Sequence, residues 1–256
     1  MPLTLEVKAD NAEIKADREV AARRVIACLS LPTSRTLCFL DNEDPCSLKR
    51  AFGATNRGIS GSIHDNTPRE DWPEYVWKCV FFHDRFSGLP TRVIDDLVYL
   101  YGGAWTDLAG VSMTLAHELQ HVIQRGNARE VWTVNSLVRH LPSKAIENLK
   151  LEWADIPIER DARIVAKRVA LDLCGQAAVT AYIQKRIAEA VQPHDVADWQ
   201  FVHDLMPADS VNLPEATQSL FQRLRPYRAD LTRLMQENSD NPDFNGIDLH
   251  EFFGDR

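Results

Sequence analysis

No stretch of this chain is apolar over the roughly 20 residues that a membrane-spanning helix needs. The first residues, Met1-Pro2-Leu3-Thr4-Leu5-Glu6-Val7-Lys8, lack the basic-then-apolar order of a secretory signal. No membrane association and a cytoplasmic location are therefore expected. Basic excess is missing too. Lys and Arg number 29 against 37 Asp and Glu, a net charge of −8, which argues against a general nucleic-acid-binding surface. Cysteine is scarce. Cys28, Cys38, Cys46, Cys79 and Cys174 form no C-x-x-C pair and are odd in number, as suits reduced thiols that serve as small core residues. Nothing marks His64 or His83 as the partner of a nucleophilic cysteine. Internal repeats and low-complexity linkers are absent. With 256 residues and 45% hydrophobic content, the chain is expected to form one unit: an N-terminal α/β part over 1–105 and a helical part over 106–256.

What is present is His117-Glu118-Leu119-Gln120-His121, an H-E-x-x-H pattern inside the apolar, helix-forming stretch Val111 to Gln124. Positions i and i+4 of a helix lie one turn apart on the same face. Two imidazoles so placed can hold one metal ion, and the glutamate between them can reach a water beside it. Zinc favours neutral nitrogen ligands and an open coordination position, and hydrolysis needs a base near the water. Without a metal, the same residues would be ordinary helix-surface histidines and a solvated glutamate.

A catalytic zinc usually has three protein ligands. The downstream candidates are Glu130, His140, Glu147, Glu152, Asp155 and Glu159, of which Glu159 fits best. It lies in Ile156-Pro157-Ile158-Glu159-Arg160-Asp161-Ala162, which reads as a helix start with Asp155 as N-cap and Pro157 in the first turn. Ile158, Ala162, Val165, Val169 and Leu173 recur at helical spacing, and Gly175 is a stop signal. Ala162, Ala166 and Ala170 share a face with Glu159, and small residues there permit close packing against the His117 helix. As a bare helix feature, Glu159 would be a first-turn glutamate favoured by the helix dipole. Glu152 and Asp155 are the alternatives as third ligand. Glu130 fits a capping box from Asn127 instead. Glu118-x-x-His121 is also half of a di-iron bundle signature, but the chain has no second copy.

His117 to His121, followed by Glu159-x-Asp161-Ala162-x-x-x-Ala166, resembles the gluzincin branch of zinc metallopeptidases, and within it the small intracellular repressor-cleaving enzymes. The likeness spans Val111 to Ala170. It departs from the family pattern at Gln120, commonly a glycine, and at Asp161, in place of a glutamate. The resemblance implies His117, His121 and Glu159 as Zn²⁺ ligands, Glu118 as general base, and a peptide or protein as substrate. It implies a zincin-like α+β fold, in which a small mixed or antiparallel sheet precedes the metal helix and its edge strand binds extended substrate.

Strands are expected at Arg35–Leu40, Tyr75–Phe82 and Leu97–Tyr101, and an amphipathic helix over Ala12–Leu29. The helical half is read as segments near 128–141, 144–153, 156–174, 176–191 and 214–237. His140, Tyr182, His194 and His203 are candidates to stabilise an oxyanion. Residues 241–252 resemble a calcium loop short of one residue, with a solvated acidic tail the favoured reading. The rival function is a catalytically silent, zincin-like module that binds or regulates a protein partner.

Overall fold

A computed structural model describes residues 3–7, 12–32, 36–40, 58–62, 96–100, 107–191, 193–206, 208–237 and 244–254. Helix dominates them. In chain order they form β1 (Leu3–Val7), α1 (Ala12–Ala27), β2 (Thr36–Leu40), β3 (Gly58–Ser62), β4 (Asp96–Leu100), α2 (Leu108–Asn127), α3 (Arg129–Val138) and α4 (Ser143–Leu149). A 3-10 turn at Trp153–Asp155 leads into α5 (Pro157–Glu189), followed by α6 (Pro193–Asp204) and α7 (Leu213–Arg223). A second 3-10 turn at Arg225–Tyr227, α8 (Arg228–Glu237) and α9 (Leu249–Phe253) are the last of the described elements.

The expected α+β, zincin-like class is corrected by this composition: the described architecture is mainly helical. Among the described residues, strand is confined to four segments of five residues in the order β1-β2-β4-β3, with β1, β2 and β4 parallel and β3 antiparallel to β4. The reason lies in where the apolar surface is buried. Most of it is covered by helix against helix, and the long neighbours α2 and α5 make the most extensive contact among the described residues. The strand expected over 75–82, and with it the substrate-binding edge, lies outside the described residues.

α2 begins where the Asp107 carboxylate accepts the Gly110 N–H at 2.6 Å, satisfying one of the four orphan donors of a helix start. Leu115, Ala116, Leu119 and Val122 are buried with Val98, Leu100, Val25 of α1, and Ala166 and Val169 of α5. One turn before the start of α2's histidine segment, Ala109 and Met113 join Ala170, Val179, Tyr182, Ile183 and Val202 in a second cluster. A further cluster among the described residues is built by α3, the start of α5 and the C-terminal helices around Leu137, Ile158, Phe221 and Phe253. The face of α5 bearing Ala162, Ala166 and Ala170 is buried to 0%, 2% and 0% exposure, so two backbones approach without large side chains between them.

The start of α5 differs in detail from its sequence expectation. Pro157 occupies the first turn, but Ile156 is the N-cap and offers no side-chain acceptor. Asp155 turns back into the 3-10 turn and accepts the Glu152 N–H at 3.0 Å. Gly175 breaks α5, with φ 79° and ψ 164°, a conformation open to glycine because it has no Cβ. Helix α6 was absent from the sequence expectation. It is held from α5 by Lys167, whose ammonium donates to the carbonyls of Val202 (3.0 Å), His203 (2.7 Å) and Leu205 (2.6 Å) at its C-terminal end. Asn127 lies within α2 rather than capping α3, so the box with Glu130 does not form. In the tail, Asp248 caps α9 by accepting the His250 N–H at 2.9 Å. No helix among the described residues is long and apolar enough to cross a membrane.

Candidate metal centre

The pairing of α2 with the first turn of α5 brings His117, His121 and Glu159 together. His117 and His121 follow one another by a helical turn, their rings edge to face with centroids 4.7 Å apart. Their Nε2 atoms are 3.2 Å apart. Glu159 arrives from the facing helix, with Oε2 at 3.3 Å from His117 Nε2 and Oε1 at 3.4 Å from His121 Nε2. One potential ligand atom from each residue lies within 4.8 Å of the others, and the three can hold a metal ion. Glu159 and His121 are buried, at 1% and 5% exposure, whereas the His117 side chain keeps 21%. The group therefore opens to solvent on the His117 side.

The surrounding hydrogen bonds fix the tautomer of His121. Gln124 Nε2 donates to the Ile158 carbonyl at 2.9 Å and to Asp161 Oδ2 at 2.8 Å. Both are acceptors only, so the orientation of the amide is forced. Its Oε1 then faces His121 Nδ1 at 2.9 Å, and Nδ1 must carry the proton. The lone pair of His121 is left on Nε2, pointing toward a carboxylate oxygen and the other imidazole. The Glu159 carboxylate is an acceptor there, and the part played by His117 Nε2 depends on its tautomer. An outer hydrogen bond of this kind commonly orients metal-binding histidines.

Gln120 and Asp161, the two departures from the family pattern, are partners. Gln120 Nε2 donates to Asp161 Oδ2 at 2.7 Å, the same oxygen that Gln124 uses. Together they tie the histidine helix to the Glu159 helix.

Desolvation by burial lowers the pKa of both imidazoles. His117 falls to about 3, with repulsion from His121 adding to the effect, and His121 falls to about 4, with the Arg139 charge next in importance. Both rings are neutral at pH 7, as metal ligation requires. Glu118, buried at 8% exposure on the same helix, acts electrostatically on both rings in the opposite sense.

Two guanidiniums flank Glu159. Arg163, one turn along α5, donates from Nη1 to Glu159 Oε2 at 3.2 Å and from Nη2 to Asp198 Oδ2 of α6 at 2.7 Å. Arg139, at the end of α3, pairs through Nη2 with Glu159 Oε1 and stacks on the Trp153 ring at 5.2 Å. Neither arginine was singled out by sequence reasoning, because no fixed spacing connects a helix end to a metal motif.

The other candidates lie elsewhere. Glu152 and Asp155 are engaged in the 3-10 turn, and Asp155 is 3.6 Å from Arg223. Glu130, His140 and Glu147 are exposed. Tyr182 is buried edge to face against Trp199, His194 is exposed beside Asp195, and His203 pairs with Asp204. None of these belongs to the group formed by His117, His121 and Glu159.

Comparison of the chain with protein-family models, curated proteins and solved structures finds no match.

Proposed function

We propose that the chain is a zinc-dependent metallopeptidase, with His117, His121 and Glu159 as ligands, Glu118 as general base and a peptide bond of a protein as substrate. The observation that carries this reading is the convergence of one potential ligand atom from each of His117, His121 and Glu159 within 4.8 Å, with the two imidazole Nε2 atoms 3.2 Å apart, Glu159 Oε2 3.3 Å from His117 and Glu159 Oε1 3.4 Å from His121. Ligands ~2.0–2.1 Å from a tetrahedral zinc are separated by about 3.3–3.4 Å. The donor set also fits: two neutral imidazoles and one carboxylate, with a buried glutamate on the helix that carries both histidines.

The chemistry that a bound Zn²⁺ supplies is acidification of water toward a pKa of ~7 and polarisation of the scissile carbonyl. The side chains do the rest. Gln124 holds His121 in the tautomer that can ligate. Glu118 accepts a proton from the attacking water and returns it to the leaving amine nitrogen. Arg163 anchors Glu159 against α6 through Asp198. Burial of Glu118 and Glu159 limits the water that would screen their charges.

The test is Glu118→Gln. The variant is expected to keep zinc at the wild-type level and to lose turnover by roughly 10²-fold or more, the scale of general-base catalysis. With the substrate unidentified, the assay is mass-spectrometric comparison of cell-extract proteins treated with each form. Cleavage products present for wild type and equally present for Glu118→Gln would remove the base assignment. Cleavage products absent for both forms, with zinc bound, would leave the silent binding module as the better description.

A further inference from the structure

The proposed reaction needs a group to meet the negative charge that develops on the scissile carbonyl oxygen, and His140, Tyr182, His194 and His203 are not part of the metal group. The geometry points to Arg139. We propose that Arg139 is the oxyanion-binding residue of this site and that Trp153 holds its guanidinium in place; the inference rests on the metallopeptidase reading.

Placement is the first argument. Arg139 follows α3 directly and pairs with Oε1 of Glu159, the oxygen 3.4 Å from His121 Nε2. Its head group therefore sits beside the proposed ligand atoms. The second argument is access. The sides of the group formed by His121 and Glu159 are closed, at 5% and 2% side-chain exposure, whereas the His117 and Arg139 side chains keep 21% and 28%. A substrate carbonyl reaching the group from solvent arrives on the Arg139 side.

Division of labour between the two arginines is the third argument. Arg163 is the more buried, at 11% side-chain exposure, and spans Glu159 and Asp198, so both its charge and its position are used by the fold. Arg139 also pairs with Glu159 but lies against a rim feature: the ring of Trp153, itself 42% exposed, lies 5.2 Å from its guanidinium carbon. Stacking restrains the planar fork beside the proposed ligand atoms. Preorganised donors of this kind act where charge appears during reaction.

The step balances without a proton moving to or from Arg139. Water oxygen bonds to the carbonyl carbon as its proton passes to Glu118. The carbonyl π electrons move onto oxygen, where Arg139 donates hydrogen bonds. When the C=O bond re-forms, the C–N bond breaks, and the amine takes the proton from Glu118.

The test uses cobalt(II)-loaded protein and inorganic phosphate as a tetrahedral oxyanion probe, read by the visible absorption of the metal. Arg139→Ala is expected to keep a full complement of cobalt and to bind phosphate at least about tenfold more weakly than wild type. Arg139→Lys retains the charge but not the fork, so an intermediate affinity is expected. Trp153→Leu, which removes the restraint, should weaken phosphate binding less than Arg139→Ala. Circular dichroism checks that each variant is folded. Phosphate affinity of Arg139→Ala or Arg139→Lys within twofold of wild type, at full cobalt loading, would overturn the inference and leave the metallopeptidase reading standing. So would a folded Arg139→Ala that takes up no cobalt, since Arg139 would then serve Glu159 alone. So would a wild-type spectrum that ignores phosphate. Failure of wild type to bind cobalt or zinc at all would remove the metallopeptidase reading and the inference together.

Discussion

Gln124 should control metal affinity although it touches no metal. Its amide makes three contacts: the carbonyl oxygen faces His121 Nδ1 at 2.9 Å, and the nitrogen donates to Ile158 O at 2.9 Å and Asp161 Oδ2 at 2.8 Å. Gln124→Leu removes all three in a residue that is 2% exposed. Loss of an outer-shell partner typically weakens metal binding 10–100-fold, equivalent to about 1.4–2.8 kcal/mol. Leaving buried polar groups without a partner costs a further ~1–3 kcal/mol of fold stability. Asp161 keeps Gln120, at 2.7 Å, so the lower part of that range is expected. Gln124→Glu separates the two effects. A carboxylate still accepts the Nδ1 proton of His121, so zinc affinity should stay close to wild type. It cannot donate to Ile158 and sets a second carboxylate against Asp161, so stability should fall at least as far as in Gln124→Leu. The assay is zinc competition against a chromogenic chelator, with denaturant unfolding of the metal-free protein beside it. Wild-type zinc affinity in a folded Gln124→Leu would refute the claim that this amide sets the tautomer of His121.

Two further outcomes follow from packing and charge. Ala166→Leu enlarges a residue that is 2% exposed and packed with Leu115, Ala116 and Leu119, so overpacking should cost about 1–3 kcal/mol and weaken zinc binding by displacing Glu159; denaturant melts and zinc competition check both effects, and unchanged values would deny close α2–α5 packing. Burial holds the His117 and His121 pKa values at about 3 and about 4, against 6.5 for the ordinary group; between these limits the unfolded chain binds more protons, so metal-free stability should be full above pH 6.5 and fall as pH drops through that window. Urea unfolding at pH 7.5 and pH 5 should show a smaller loss for His117→Gln than for wild type, and equal losses would contradict the burial argument.

What the sequence made legible follows the range over which local geometry operates. The helical repeat alone places His117 and His121 on one face, and Glu118 next to them. Glu159 was legible because Pro157 announces a helix start, and because Ala162, Ala166 and Ala170 mark a face that can approach another backbone. Gly175 was legible as a break because its backbone angles are rare for other residues. Tertiary facts were not. Arg139 reaches Glu159 through the length and direction of α3, which no motif encodes. Gln120 and Asp161 each looked like a departure from a family pattern, and only the packing of α2 on α5 reveals that they bond to each other. Helix α6 was missed because its exposed and buried residues show little stripe, and its end is satisfied from outside by Lys167. The α+β class was read from β-favouring residues in the N-terminal part, whereas the described chain buries most of its apolar surface between helices.

The most direct test of the central claim is the metal content of purified wild type and His117→Ala, measured by elemental mass spectrometry. The account predicts about one zinc per chain in wild type, as a single three-ligand site requires, and its loss in the variant. Zinc absent from wild type after reconstitution, or retained in full by folded His117→Ala, would contradict it.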